Sequence, residues 1–406
     1  MATARIDLTA PDGGRQGFND AERDALVDSA RALRPLLERH APTNEAAGEI
    51  APEVIAALEA AGLFDMAVPV RWGGPGISSS TLADVYFEVG RADASTAWVL
   101  SVINSCIWLV SRMPEPVQRM VFGCGRYKVC SCAGAPGKLT ANADGTYTVD
   151  GNWAYASGSH HADWVIAPVM GDNGFFMAVL PIDRLRREKT WLVTGMRATG
   201  SDSLVAEGVT VTDANLCPPA EMAPGEVGKT GARFDEPSDF WAPTPVLRPQ
   251  AIVVLSGVAH GLLDAVLPGA GKPMLNTSFT AKRDSHVYVG RFGEAAAKIR
   301  AARSIAERSL RVCDQAAAER RLLTHAERVE AKAENAVASE LLTAIVDQLM
   351  TLAGSSAFYE SHPAQRFWRD FSIAIRHIVY NIDLSYEIMG RELLAVEPAI
   401  MRADLI

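Results

Sequence analysis

The stretch HPAQRFWRDFSIAIRHIVYN, residues 362–381, combines an apolar pattern with side chains that can do chemistry. Five of its residues follow at steps of four, three, four and three: Arg366, Asp370, Ile373, His377 and Tyr380. One continuous helix would place all of them on a single face, where the first two can form an i,i+4 ion pair. An imidazole titrates near neutral pH, so His377 could deprotonate a phenol or an amine, or polarise a peroxide. The alternative is a histidine on a helix surface or in a subunit contact.

A second group of candidates lies in the stretch NWAYASG, residues 152–158. Ser157 offers a hydroxyl group, and Gly158 allows a ligand to approach the backbone closely. A simple β-turn is the alternative interpretation of these two residues. Trp153 and Trp164 could pack on the edge of a planar ligand, although buried tryptophans also serve as core residues.

Three further candidates, Asn104, Cys106 and Trp108, follow the segment DASTAW. Asn104 and Trp108 are four residues apart and therefore share a helix face. Both a pocket and an ordinary core are consistent with this pattern. His160 and His161 are adjacent and would point to opposite faces of a strand, so joint binding of a metal is not expected.

The composition excludes several classes of function. The chain has 406 residues, a formal net charge of -9 and a pI near 5.5, so no nucleic-acid partner is expected. It contains no run of roughly 18 uninterrupted apolar residues, and no membrane helix is expected. The polar N-terminal segment predicts a cytoplasmic protein. Its six cysteines have no CxxC spacing, which predicts reduced thiols and no metal site.

Hydrophobic periodicity divides the chain into three regions. Apolar residues recur at helical spacing in residues 1–126, with one helix bounded by Pro52 and Gly62. Period-two alternation broken by turns such as Asp144-Gly145 predicts a β-domain over residues 127–220. A loop-rich linker at 220–249 then opens a second helical region, residues 221–406.

The order helical, β, helical resembles the acyl-CoA dehydrogenase superfamily, and four local motifs do so too. DASTAWVL (93–100) and HPAQRFWRD (362–370) resemble two of its helices. GNWAYASGSHHADWVI (151–166) resembles its flavin-facing strand pair, and GMRATGSDSLVAEGVTVTDANL (195–216) the segment that ends its β-domain. The resemblance implies an acyl-CoA dehydrogenase-like fold with an N-terminal α-helical domain, a central antiparallel β-barrel domain and a C-terminal four-helix bundle.

Two departures are typical of one branch of that superfamily. Dehydrogenases carry a catalytic glutamate where this chain has RHIVYN, and a "T-E-P" segment where it has CAGAPGK. An arginine-aspartate pair followed by His377 is similar to the flavin-dependent monooxygenase branch. The resemblance then implies the oxygenase component of a two-component flavin monooxygenase. Such a protein receives reduced FMN or FAD from a separate reductase and forms a flavin 4a-hydroperoxide with O2, which hydroxylates a small, aromatic substrate.

The alternatives are N-oxygenation of an amino sugar on the same scaffold, an acyl-CoA dehydrogenase, and a catalytically silent relative. The resemblance also implies roles for individual residues and a homotetramer. Those expected to be catalytic are His377, Ser157 and Asn104. Those expected to bind the cofactor are Ser157, Gly158, Trp153, Thr199, Ser201, Arg283, Gly354, Ser355, Arg366 and Asp370. Those expected to line the substrate pocket are Asn104, Cys106, Trp108 and Tyr380.

Overall fold

A computed structural model describes residues 18–218, 236–396 and 400 of the chain, so the first 17 residues and most of the expected linker lie outside the described part. The N-terminal part is helical, as the sequence predicts. Its helices are α1 (Arg23–Ala47), α2 (Pro52–Ala60), α3 (Ser79–Ala92), α4 (Ala94–Ser111) and α5 (Glu115–Phe122).

Helices α3 and α4 follow each other almost directly in the sequence. Asp93 separates them because its backbone is extended, with φ -153° and ψ 122°. Its carboxylate accepts hydrogen bonds from the N–H and hydroxyl of Thr96 at 2.9 and 2.6 Å. This side-chain cap satisfies an otherwise unpaired amide and starts α4 in a new direction.

The central part is an eight-stranded sheet in the order β6-β7-β3-β2-β4-β5-β8, with β1 paired to β4. Most pairings are antiparallel, but β1 and β2 each run parallel to β4. Apolar residues on the inner face form a separate core. The strands are β1 (Val129–Ser131), β2 (Gly137–Ala141), β3 (Tyr147–Trp153), β4 (Trp164–Gly171), β5 (Gly174–Pro181), β6 (Arg186–Glu188), β7 (Ser203–Val211) and β8 (Leu216–Cys217).

The C-terminal part returns to helix, and α6, α7 and α8 pack mutually, with α9 against α6 and α8, and α10 against α8. Helix α6 begins at Pro243, inside the segment expected to be a linker, because proline is tolerated in a first helical turn. Pro249 cannot donate to the carbonyl of Pro245, which instead accepts a hydrogen bond from the thiol of Cys313 at 3.3 Å. The helices are α6 (Pro243–Val266), α7 (His286–Ala318), α8 (His325–Ala353), α9 (Pro363–Ala374) and α10 (Ile382–Leu394).

The prediction of one helix through His377 is wrong, because α9 ends at Ala374. His377 has extended backbone angles, φ -61° and ψ 144°, and precedes the short 3-10 turn Ile378–Tyr380. The segment after Ser372 is rich in β-branched isoleucine and valine, which favour helix less than unbranched residues do. His377 and Tyr380 therefore leave the helix face that they were expected to share with Asp370.

In the part of the chain that the structure describes, three helices are long and apolar enough to cross a membrane by length and composition alone: Ala94–Ser111, Pro243–Gly271 and His325–Ala353. In the first two, 78% and 72% of the apolar window is buried inside the protein, so core packing accounts for their composition. The third is 44% buried and leaves apolar side chains such as Val337 exposed.

Helices α3 and α6 pack very closely against each other. A Cβ added at Gly90, Gly257 or Gly261 would come within 3.0 Å of a backbone oxygen of the facing helix. Only glycine lets the two backbones approach this closely. The crossing matters for function because α4, which continues from α3, carries residues of the candidate site described below.

We expect Gly257→Ala to lower the free energy of unfolding by about 1–3 kcal/mol, because the added methyl group overpacks the α3–α6 crossing. Gly290→Ala on α7 is the matched control, since no described atom lies within 4 Å of its Cβ position. Alanine in place of that helical glycine should stabilise the protein by about 0.5–1 kcal/mol. Urea unfolding followed by circular dichroism measures both, and equal values for the two variants would contradict the close crossing.

Candidate active site

Three hydroxyl groups meet where the turn after β3 faces the loop before β7. The Oγ of Ser157 lies 2.7 Å from the Oγ of Ser201, which lies 2.7 Å from Oγ1 of Thr199. Thr199 Oγ1 donates in turn to the carbonyl of Met196 at 2.8 Å. The N–H of Gly158 donates to the carbonyl of Thr199 at 2.9 Å. The structure thus brings together four residues that the sequence analysis assigned to cofactor binding.

The turn that carries Ser157 has an unusual backbone. Tyr155 and Gly158 have φ of 61° and 77°, in the left-handed region. A Cβ at position 158 would also lie 3.1 Å from Cγ1 of Val99 on α4. Glycine therefore fits here for both backbone and packing reasons. Ser157 is half-buried between these two strained positions, whereas Thr199 and Ser201 are 2% and 4% exposed.

A buried carboxylate holds the loop that carries Thr199 and Ser201. Asp370 on α9 accepts a hydrogen bond from the N–H of Met196 at 2.5 Å, and Met196 itself has φ 54°. Burial, together with the nearby charge of Asp93, raises the pKa of Asp370 to about 7. The carboxyl group is 3% exposed, so it acts on the loop and not directly on a ligand as the sequence analysis expected.

A second carboxylate fastens the same loop from the other side. One oxygen of Asp202 accepts hydrogen bonds from the N–H groups of Thr190 and Trp191, both at 3.0 Å. Its other oxygen lies 2.9 Å from Nε2 of His160, whose Nδ1 lies 2.8 Å from Glu49. The histidine therefore bridges the end of α1 to the loop, and it has a structural role at this edge.

Aromatic side chains lie beside the turn that carries Ser157. Tyr155 is 63% exposed, and its ring meets that of Trp191 edge-on with centroids 6.0 Å apart. The indole N–H of Trp191 donates to the carbonyl of Met196 at 2.8 Å, which fixes the ring beside the hydroxyl groups. Trp98 on α4 precedes Val99, the residue that contacts Gly158, and its own ring meets that of His377.

His377 lies at the rim of this region, on the turn after α9. Its ring centroid is 5.4 Å from that of Trp98 at an interplanar angle of 68°, and its Nδ1 accepts a hydrogen bond from the N–H of Val379 at 3.3 Å. His377 is exposed to solvent in the single chain, while partial desolvation of its ring lowers its pKa and favours neutral imidazole at neutral pH. The buried guanidinium of Arg248 donates to the carbonyl of Val379 at 2.5 Å and so fixes the turn.

The arrangement fits the edge of a flavin ring. Such a ring is planar and aromatic with polar atoms on one edge, and the site offers aromatic faces beside a half-buried hydroxyl group and a close-approach glycine. Among the described residues no group of three or more His, Cys, Asp or Glu side chains could hold a metal ion.

Comparison with known proteins agrees with this geometry. The profiles described as acyl-CoA dehydrogenase N-terminal and C-terminal domains match residues 20–122 and 250–382. The chain belongs to the acyl-CoA dehydrogenase family. It is 29% identical to the flavin-dependent monooxygenase oxygenase subunit HsaA of Rhodococcus jostii (strain RHA1), over 88% of this chain and 95% of the relative. It is also 29% identical to the oxygenase component of the FADH(2)-dependent resorcinol hydroxylase of Rhizobium sp. (strain MTP-10005), over 92% and 95%.

The solved structures share the fold of this acyl-CoA dehydrogenase family member. XiaF from Streptomyces sp., solved with FADH2 and glycerol, aligns with a TM-score of 0.88 at 24% identity, over 95% of this chain and 98% of XiaF. The prediction of an acyl-CoA dehydrogenase-like fold is therefore confirmed, with the refinement that two pairings of the central sheet are parallel.

The expected catalytic or substrate role of Asn104 is corrected by its surroundings. The side chain is fully buried, its Oδ1 accepts from the N–H of Ala67 at 3.1 Å, and its Nδ2 donates to the carbonyls of Leu63 and Leu100 at 2.9 and 3.1 Å. It ties the segment after α2 to α4. An amide with these partners is a structural anchor in this family member, and it has no free group for a substrate.

Three other predicted site residues lie in the interior. Trp153 is fully buried in the sheet and donates to the carbonyl of Pro168 at 3.0 Å, so it does not cover a flavin edge. Trp108 donates to the carbonyl of Ser238 at 2.9 Å. Cys106 is 2% exposed, and burial raises the pKa of its thiol to about 12, which keeps it protonated.

Tyr380 and Arg366 are also interior residues. Tyr380 is 4% exposed, and its hydroxyl has no hydrogen-bond partner among the described residues, so the expected contact with substrate is corrected to a place inside the bundle. Arg366 is 8% exposed, with its guanidinium 5.9 Å from the ring centroid of Phe367. Its charge lowers the pKa of Asp370 in part, opposing the effect of burial.

Arg283, Gly354 and Ser355 form a separate, outward-facing group. Arg283 lies in the 3-10 turn Lys282–Asp284, and both it and Ser355 are exposed. The side chain of Lys282 donates to the carbonyl of Leu352 at 3.3 Å, which places this turn beside the end of α8. The structure thus brings Arg283 near Gly354 and Ser355, but these residues lie at a different part of the chain's surface from the hydroxyl groups.

The aromatic residues of the site could not be identified from the sequence pattern. Tyr155 lies between Trp153 and Ser157, but β3 ends at Trp153 and Tyr155 has φ 61°, so strand alternation does not reach it. Trp98 lies inside the quoted motif DASTAWVL, but nothing in the sequence pairs it with His377. Trp191 comes from an irregular segment between β6 and β7, where neither helical nor strand periodicity applies.

The raised pKa of Asp370 makes a prediction about stability. Between its ordinary value of 3.8 and about 7, the folded protein holds a proton that the unfolded chain releases. This residue's contribution to stability therefore falls as pH rises through that window. Asp370→Asn stays neutral and keeps an oxygen for Met196. We expect its midpoint of thermal unfolding, relative to wild type, to rise between about pH 5 and pH 8.

Asp264→Asn serves as a control, because the pKa of Asp264 is lowered whereas that of Asp370 is raised. Although burial raises the pKa of Asp264, the hydrogen bonds from Arg91 and the contact with His260, whose Nδ1 lies 3.4 Å away, outweigh it and hold that pKa well below its usual range. Asp264 therefore stabilises the protein throughout this pH window, and its replacement should lower the midpoint by a similar amount at each pH. Parallel midpoint curves for wild type and Asp370→Asn would contradict the assignment of a neutral, buried Asp370.

Proposed function

We propose that this chain is the oxygenase component of a two-component flavin monooxygenase and hydroxylates a small aromatic substrate. The proposal rests on two observations: the hydroxyl chain Ser157–Ser201–Thr199, and the contact of His377 with Trp98 on α4, the helix that packs against Gly158. The two relatives at 29% identity, with names that specify oxygenase components, support the same reaction class.

Each group at the site has a role in this reaction. Ser157 would hold the polar edge of the flavin, while Tyr155 and Trp191 cover its faces. When bound, reduced FMN or FAD supplies the chemistry that activates O2. His377, whose lowered pKa keeps the imidazole neutral, would take the proton of a phenol or a similar group and so make the aromatic ring more nucleophilic. The diffusible reduced flavin would come from a separate reductase that contacts this protein transiently.

The surroundings of the site favour this function over the alternatives. Trp98, Trp191 and Tyr155 offer aromatic surface, which suits a flat aromatic substrate better than an amino sugar. The two glutamates nearest to the expected position of a dehydrogenase base do not lie at this wall. Glu387 pairs with Arg391 at 2.8 Å on α10, and Glu360 is exposed before α9.

We expect His377→Asn to leave flavin binding intact and to lower product formation at least tenfold, about 1.4 kcal/mol on the barrier, because asparagine cannot accept the substrate proton. The measurement is hydroxylated product formed per reduced flavin consumed, with hydrogen peroxide as the uncoupled product. His362→Asn is a matched control, since that side chain only accepts a hydrogen bond from the N–H of Ala364 at the start of α9. Unchanged coupling in His377→Asn would rule out the base assignment.

We also propose that four copies of this chain assemble into a homotetramer. Helix α8 is apolar but only 44% buried, and Phe358 and Tyr359 after it are 52% and 70% exposed. Contact with other copies of the chain would remove this apolar surface from water. The same contact would bring the outward-facing Arg283, Gly354 and Ser355 against a neighbouring subunit, where they could receive the phosphate part of its flavin.

We expect light scattering after size exclusion to give four times the 43.5 kDa mass of one chain. Val337→Asp places a charge on the exposed face of α8 and should reduce the assembly to smaller species, because burial of an unpaired charge is costly. Met170→Asp changes another exposed apolar residue, on β4, and serves as the control. A monomeric wild-type protein would contradict the tetramer without affecting the reaction class.

A further inference from the structure

The hydroxyl chain at the site has a fixed direction. A threonine hydroxyl has one hydrogen to donate, and Thr199 gives it to the carbonyl of Met196, which can only accept. The 2.7 Å contact between Thr199 and Ser201 therefore has Ser201 as the donor. The hydrogen of Ser201 is then used, so in the 2.7 Å contact between Ser157 and Ser201 the donor is Ser157.

The open end of the chain is consequently an acceptor. Thr199 and Ser201 are buried, and Ser157 is half-buried with its hydrogen turned inward to Ser201. What Ser157 presents to a ligand is a pair of oxygen lone pairs. The N5 atom of a reduced flavin carries a hydrogen and is a donor, whereas N5 of the oxidised ring is an acceptor. Reduced flavin therefore needs Ser157 as a hydrogen-bond acceptor, whereas oxidised flavin needs it as a donor.

We propose that Thr199 and Ser201 are positioning residues that make the site selective for reduced over oxidised flavin, by orienting the hydroxyl group of Ser157. The inference rests on the proposed function, in which Ser157 meets the flavin edge. It gives the two buried residues a role different from the direct cofactor contact expected from the sequence. Such selectivity suits an enzyme that takes reduced flavin from another protein and must release the oxidised form.

The number of hydrogen bonds in the two directions of the chain determines how strongly the site prefers reduced flavin. To donate outward, Ser157 must release Ser201, and Ser201 must then turn from Thr199 to Ser157. Thr199 keeps its bond to Met196, so the reversed chain contains one internal hydrogen bond fewer than the forward chain. One net hydrogen bond corresponds to a preference of about fivefold for the reduced flavin from this source.

The test compares dissociation constants for oxidised and reduced FMN, and for FAD, measured by equilibrium titration, with the reduced forms under anaerobic conditions. In Thr199→Val the terminal acceptor is lost and both directions contain equal numbers of hydrogen bonds. We expect the preference for reduced flavin to fall about fivefold in this variant. Thr199→Ser keeps the hydroxyl group and should retain the wild-type preference.

Ser201→Ala is a second test variant. It leaves the hydrogen bond from Thr199 to the carbonyl of Met196 in place, so the loop conformation is kept. It should also lose the preference about fivefold, mainly through tighter binding of oxidised flavin, because Ser157 is then free to donate. Equal ratios in wild type, Thr199→Val and Ser201→Ala would overturn the inference while leaving the proposed function standing. Failure of wild-type protein to bind either redox form would instead overturn the proposed function.

Discussion

The hydrogen bond from the N–H of Met196 to Asp370 joins the C-terminal helices to the loop on which the candidate site depends. Met196 has a left-handed backbone, a conformation that persists only when its surroundings impose it. Its carbonyl then accepts from both Trp191 and Thr199. One buried carboxyl group thus orders an aromatic ring and a chain of hydroxyl groups that belong to a different part of the sequence.

The pKa values of Asp370 and His377 are shifted in opposite directions, and both shifts favour the uncharged side chain. Burial raises the pKa of Asp370 and lowers that of His377, and in each case the neutral form is favoured. A neutral Asp370 can remain in the interior without a paired cation. A neutral His377 is ready to accept a proton at the rim. The buried Asp370 thus serves the loop, and the exposed His377 is the proposed base.

Much of the fold could be predicted from residue patterns. The bounds of α2 and α8 follow from prolines, glycines and caps, and the strands follow from alternation between turn dipeptides. The end of α9 could be predicted only in part, because the β-branched residues after Ser372 weaken the helix but its last turns contain neither glycine nor proline. Arg248, more than 100 residues away in the sequence, binds the carbonyl of Val379 and stabilises the turn that follows the helix.

The sequence by itself determined the residue types of the site: Ser157, Gly158, Thr199 and Ser201 lie in two local motifs whose hydroxyl groups and glycine suit a ligand edge. Only the tertiary structure decided which candidates are accessible. Asn104 has the right chemistry for a pocket, but its helix faces the segment after α2, where backbone groups occupy its whole amide. Spacing places residues on a common face, whereas packing between distant segments determines what that face contacts.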